Sequence, residues 1–213
     1  MLKEEKTRRY IKEFSLKISL FSKKMFNVML KLGLPTALQM LFEVTAFAAA
    51  AFICGLISAT DIAAHQIALS MASFTFNLCI GFSVASTVMI GGKLGERNFL
   101  EIKKIGINNF KLAFLFMLCS GLFFIVARDI LPTFFTKKED VEVIALASKL
   151  LIIAALFQLS DGIQVTALGS MRGLQDVKIP SIITFIAYWV ITIPLGYYLC
   201  VTREMGAWGM WIA

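Results

Sequence analysis

Charge is what this sequence has least of. Only 16% of its 213 residues are charged, where a soluble domain carries roughly a quarter. Between Leu32 and Gly92 the only formally charged side chains are Glu43 and Asp61. A water-exposed surface cannot be built from such a stretch, so a soluble globular domain is excluded. Histidine is nearly absent, with His65 alone. The four cysteines, Cys54, Cys79, Cys119 and Cys200, each sit in an apolar run and form no Cys-x-x-Cys pair. They read as small core hydrophobes, not as metal ligands or disulfides. The strict alternation of a membrane β-barrel is missing too. Charges recur up to Lys31, so no leader peptide with a short apolar centre is expected.

What remains is 58% hydrophobic, gathered into runs longer than the roughly 20 residues that cross a bilayer. The expected fold is all-α and integral to the membrane: five complete transmembrane helices plus the start of a sixth. The runs lie at 32–57, 62–92, 105–127, 143–171 and 179–201, and 206–213 begins another. That last run breaks off early, so the chain is expected to be a piece of a longer protein. Residues 1–31 form a separate unit. Ile11, Phe14, Ile18, Phe21 and Met25 recur at helical spacing among Lys6, Arg9, Lys12, Lys17, Lys23 and Lys24. This pattern predicts a basic amphipathic helix that lies on the anionic cytoplasmic leaflet, with membrane lipid as its partner, or packs beneath the helices; a partly disordered tail is the alternative.

The net charge of +7 does not point to nucleic acid, because basic residues in a polytopic membrane protein concentrate in cytoplasmic loops. Lys93, Arg97, Lys103, Lys104, Arg172 and Lys178 fall on the same side as the N-terminal segment, against Arg128, Lys137, Lys138 and Arg203 on the other. The N-terminus is therefore expected on the cytoplasmic side of the cytoplasmic (inner) membrane. Lys111 and Lys149 lie near run ends and reach the nearer interface. His65 reads as a hydrogen-bonded structural residue near a helix end.

Two acids resist that treatment. Glu43 is 11 residues from the inner end of its run and Asp161 is 10 from the inner end of its own. Both are roughly 15–17 Å deep in a hydrocarbon layer about 30 Å thick. A carboxylate there costs about 3 kcal/mol even on a gentle insertion scale. A proton, a bound cation or a water-filled cavity would relieve the cost. So would a hydrogen bond to a neighbouring helix, which gives the acid a purely structural role. Gln158 and Gln164 flank Asp161 and share part of its helical face, Gly162 lets a neighbour come close, and Gln39 lies one turn below Glu43. These three glutamines are candidate substrate-cavity residues.

The stretches "LGLPTALQMLFEVTAFAAAA", "IAAHQIAL", "QLSDGIQVTALGSMRG" and "FIAYWVITIPLGYYL" together resemble the multidrug and toxic compound extrusion (MATE) family, NorM-like branch, in its C-terminal six-helix half. The resemblance implies one bundle of a two-bundle, twelve-helix transporter, with residues 1–31 as the basic amphipathic cytoplasmic linker between the halves. It implies export of drug-like, often cationic xenobiotic compounds in exchange for protons or sodium, with no other cofactor. It also implies a coupling site at the positions of Glu43 and Asp161, which are the acids that depth singles out. NorM-like members often place a tyrosine one turn before that aspartate; here the residue is Phe157, which removes an oxygen ligand for sodium. An N-terminal six-helix half or another bundle is the expected partner. A non-transporting fragment and a lipid-precursor flippase of related fold are the alternatives. An enzyme is not expected: an intramembrane aspartyl protease pairs two aspartates, one in Gly-x-Gly-Asp, and here the motif reads Leu159-Ser160-Asp161-Gly162 with a glutamate as the partner.

Overall fold

The computed structural model describes residues 22–137 and 139–213. Among the described residues five helices are long and apolar enough to cross a membrane: α1 (Lys23–Ile57), α2 (Ala59–Gly95), α3 (Phe99–Ala127), α4 (Val141–Gly173) and α5 (Lys178–Thr202). A short α6 (Gly206–Ile212) follows. There is no strand among the described residues. Each long helix outruns its apolar run by a few residues, because polar interfacial residues extend and cap it. Ser58 Oγ accepts the Asp61 N–H at 2.9 Å and opens α2, and Asn98 Oδ1 does the same for Glu101 at 3.2 Å. Ser22 caps α1 through the Met25 N–H. Residues 23–31, read as part of a separate linker, therefore run into the first apolar stretch as one helix. The rest of that predicted amphipathic segment, 1–21, lies outside the described residues.

α4 stands at the centre and packs against α2, α3 and α6. Along α2 the contact is close and hydroxyl-rich. Ser83 Oγ donates to the Val165 carbonyl at 2.7 Å, Thr87 Oγ1 to the Gly169 carbonyl at 2.8 Å, and Ser86 and Ser170 share a bond of 2.9 Å. Gly169 and Gly173 make the approach feasible: a Cβ at Gly169 would land on the carbonyl and hydroxyl oxygens of Ser83. Small residues and interhelical hydroxyl bonds are what bring helices together in lipid, where burial of apolar surface supplies little.

α5 is irregular. Its turns widen over Ile186–Thr192 and again over Tyr198–Thr202. Pro194 lies between them, without an N–H and crowding the preceding turn, which accounts for the break in regular helix. The connection after α3 folds into a short turn, Leu131–Phe134, whose Leu131 and Pro132 are buried. Cys54, Cys79 and Cys200 are buried, as expected of small core hydrophobes, but Cys119 is on the exposed face of α3. All four are free thiols.

Candidate functional site

The acids converge. Glu43 of α1 and Asp161 of α4 both line a cavity of about 310 Å³ between α1, α2 and α4. Asp161 is buried, at 6% exposure, and Glu43 is half-buried. Among the described residues, neither carboxylate accepts a hydrogen bond or lies within 4.0 Å of a cation. They are close enough to repel each other. The rest of the wall is mainly apolar, with Met40, Val44, Phe47, Phe76 and Ile80.

The helical period explains who reaches this cavity. Gln39 and Glu43 stand one turn apart on α1, and both line the cavity. On α4 the stripe is Asp161, Val165, Leu168 and Arg172, a 4-3-4 spacing that keeps one face. Gln158 and Gln164 do not line it, contrary to the expectation that they share a face with Asp161. Three residues at steps of three turn by roughly 60° each on a helix of 3.6 residues per turn, so the three side chains fan out to different neighbours. Gln158 points between α2 and α3, where its Oε1 accepts from Thr75 at 3.0 Å and Ser120 at 2.8 Å. Among the described residues its Nε2 is buried without a hydrogen-bond partner. Gln164 turns to α5, donating to the Tyr188 hydroxyl at 3.3 Å in a separate cavity of about 410 Å³. Gly162 admits the Met117 side chain from α3.

Phe157 fills its position with ring packing. It stands edge-on to Phe47 and to Trp211, walling the acidic cavity from an apolar one of about 480 Å³ toward α6. His65 accepts the Trp211 indole N–H through Nδ1 at 3.0 Å, the structural role expected of it. On the other flank Trp189 donates to the Phe42 carbonyl at 3.1 Å, beside Glu43. Among the described residues no group of three His, Cys, Asp or Glu side chains assembles. The donor set at the site is two carboxylates and an amide, all hard oxygen ligands, which suit a proton or a hard cation better than a soft metal. Arg172 is the functional candidate that charge counting assigned to the cytoplasmic side. Its spacing of 11 from Asp161, three turns on, was the signal that could have found it.

Comparison with known proteins decides the family. The MatE family model matches residues 35–198. This chain belongs to the MatE family. It is 37% identical over 185 residues to the multidrug resistance protein MdtK of Proteus mirabilis, a match that covers 85% of this chain and 40% of the relative. It is 38% identical over 185 residues to the probable multidrug resistance protein NorM of Agrobacterium fabrum, with the same coverage. With the probable NorM of Mannheimia succiniciproducens it shares 35% over 215 residues, 99% of this chain and 46% of the relative. The chain thus spans less than half the length of these curated relatives, and it matches their C-terminal half. The fold agrees. The eukaryotic MATE transporter AtDTX14 superposes with a TM-score of 0.85 at 18% identity, over 93% of this chain and 44% of that one. A crystal structure of MATE in complex with MaL6 gives 0.83 at 18%, over 90% and 43%. MatE proteins are multi-span transporters, and this chain supplies one helical bundle of that architecture.

Proposed function

We propose that this MatE bundle is part of a cation-coupled antiporter that exports drug-like, often cationic compounds across the cytoplasmic membrane, working with an N-terminal six-helix bundle. Protons or sodium ions drive it. Glu43 and Asp161 hold the coupling ion and the substrate's positive charge in turn, while the two bundles rock about the site. The N-terminal side faces the cytoplasm, in line with the distribution of lysine and arginine.

The observation that carries this reading is the convergence of the two acids, from two helices, on one mostly apolar cavity. A purely structural acid in lipid needs a hydrogen-bonding neighbour to offset its burial. Among the described residues neither Glu43 nor Asp161 has one, so an exchangeable occupant is favoured over a fixed partner.

The test uses this bundle joined to a matching N-terminal bundle, in everted vesicles, with an imposed pH or sodium gradient and a cationic dye. Asp161→Asn and Glu43→Gln keep shape and remove the charge. Each is expected to cut gradient-driven efflux at least tenfold while insertion stays normal. The double change is expected to be no worse than either single change, as for groups acting as one unit. Near-normal efflux from inserted Asp161→Asn protein would sink the proposal.

A further inference from the structure

The acidic cavity contains a fixed positive charge. Arg172 stands in the last turn of α4. A long basic side chain at a membrane helix end ordinarily extends outward to water. Arg172 runs the other way. Helical side chains lean toward the N-terminus of their own helix, and the N-terminus of α4 is at the opposite face of the bundle, so the lean carries the guanidinium toward the middle. Two bonds hold it there. Nε–H donates to the Leu168 carbonyl one turn back at 3.2 Å, and Nη2 donates to Ser83 Oγ at 3.4 Å. Ser83 is itself anchored, at 1% exposure, by its bond to the Val165 carbonyl. A guanidinium has five N–H donors. Among the described residues these two bonds are all that the Arg172 guanidinium makes, so its remaining donors are left for the cavity it lines with Glu43 and Asp161. It interacts electrostatically with Glu43 across that space.

We propose that Arg172 is the resident counter-cation of the carboxylate pair: its tethered charge balances Glu43 and Asp161 while the cavity is empty and sets how tightly an entering cation is held. The proposal rests on the reading of those two acids as a cation site. Its logic is charge balance. Two ionised carboxylates and one guanidinium lining the same cavity leave a single net negative charge, which one monovalent cation neutralises. Without the guanidinium the same cation meets two uncompensated charges and is held too tightly to leave, whereas transport needs a site from which the cation can also depart. The tether matters as well. Held back by Leu168 and Ser83, Arg172 has no contact ion pair with either acid, so a cation can enter without first breaking one.

The experiment is a binding measurement on the full 213-residue chain, purified in uncharged detergent at low salt, with phenyltrimethylammonium titrated calorimetrically. Arg172→Gln is expected to bind this cation about tenfold more tightly than the unmodified chain. Arg172→Lys keeps the charge and is expected to stay within about threefold. Glu43→Gln and Asp161→Asn are expected to weaken binding. Circular dichroism and elution profiles check each fold, and Arg172→Met, which keeps the apolar stem, replaces Arg172→Gln if the latter does not elute as folded protein. Unchanged or weaker binding by folded Arg172→Gln, with binding still lost on changing either acid, overturns the role of Arg172 and leaves the acids standing. Arg172→Lys moving as far as Arg172→Gln overturns it too, because the effect then belongs to geometry and not charge. Binding that is absent from every variant, or indifferent to both acids, overturns this proposal together with the carboxylate site beneath it.

Discussion

The α2–α4 pair and the α1–α5 pair are built on opposite plans. Between α2 and α4, serine, threonine and glycine alternate in register and buried residues run from end to end, from Ala64 to Ile90 on one helix and from Ala147 to Gly173 on the other. α1 buries only Gln39 in its N-terminal half; its other buried residues, Ala46, Ala50, Ala51, Ile53 and Cys54, lie in the C-terminal half. Met25, Met29, Leu34 and Leu41 are all more than half exposed. The side-chain ties from this stretch, as far as Phe42, to α5 are a Ser181 hydroxyl donating to the Pro35 carbonyl at 2.8 Å, a Phe42–Phe185 ring contact, and the Trp189 bond to Phe42. Asp161 and Arg172 belong to the closely packed pair and Glu43 to the loosely held one. An occupant gripped by both acids therefore links the position of α1 to a rigid α2–α4 unit.

The largest expected effect breaks the rigid side of that comparison. Gly169→Ala puts a Cβ onto Ser83 backbone and hydroxyl, with no flexible side-chain end to give way. It is expected to cost about 3 kcal/mol, the upper end for overpacking, and to lower the melting temperature in detergent. Gly81→Ala is the same chemical change on α2 with nothing within 4 Å of the added carbon. It is expected to be neutral or to stabilise by up to about 1 kcal/mol through helix propensity. Equal melting temperatures for the two variants would show that the α2–α4 contact is not as close as described.

The same contrast explains how far the sequence could be read. The five spans are legible because apolar runs longer than a bilayer need no tertiary information. So is the depth of Glu43 and Asp161, which follows from rise per residue, and their meeting on one cavity is consistent with it. Side-chain direction is another matter. Linear position places Arg172 at its helix end but not its guanidinium, because an arginine spans several ångströms along its helix and leans toward the N-terminal end. Spacings of three make Gln158, Asp161 and Gln164 look like one face, yet the rotation adds up over two steps. A spacing of four between Gly169 and Gly173 says little by itself. It acquired meaning only when Ser83, Ser86 and Thr87, more than 80 positions away in the chain, were found opposite. No local pattern announced the widened turns of α5 beyond Pro194. The start of α1 at Lys23 was hidden because composition marks where apolar residues begin, not where a helix does.

The smallest expected effect sharpens the loose side. Trp189→Phe keeps an aromatic ring on α5 and deletes the N–H that reaches the Phe42 carbonyl at 3.1 Å. That carbonyl lies within the body of α1 and keeps its place in the helical ladder, so no buried acceptor is orphaned and the cost is one interhelical bond. Such bonds in membrane proteins average about 0.6 kcal/mol, too little to register clearly in a melting curve. The readout should instead be distance. Nitroxide pairs on Met29 and Ile163 report α1 against α4, and pairs on Val88 and Ile163 report α2 against α4; all three positions are exposed. The first distribution is expected to broaden in Trp189→Phe and the second to stay as it is. Since Phe42 precedes Glu43, the broadening carries Glu43 with it, and gradient-driven efflux by the joined bundles should fall by about threefold or less while Asp161→Asn still abolishes it. If both distributions broaden together, α1 and the α2–α4 pair move as one body, and the contrast between a rigid pair and a loosely held helix does not hold.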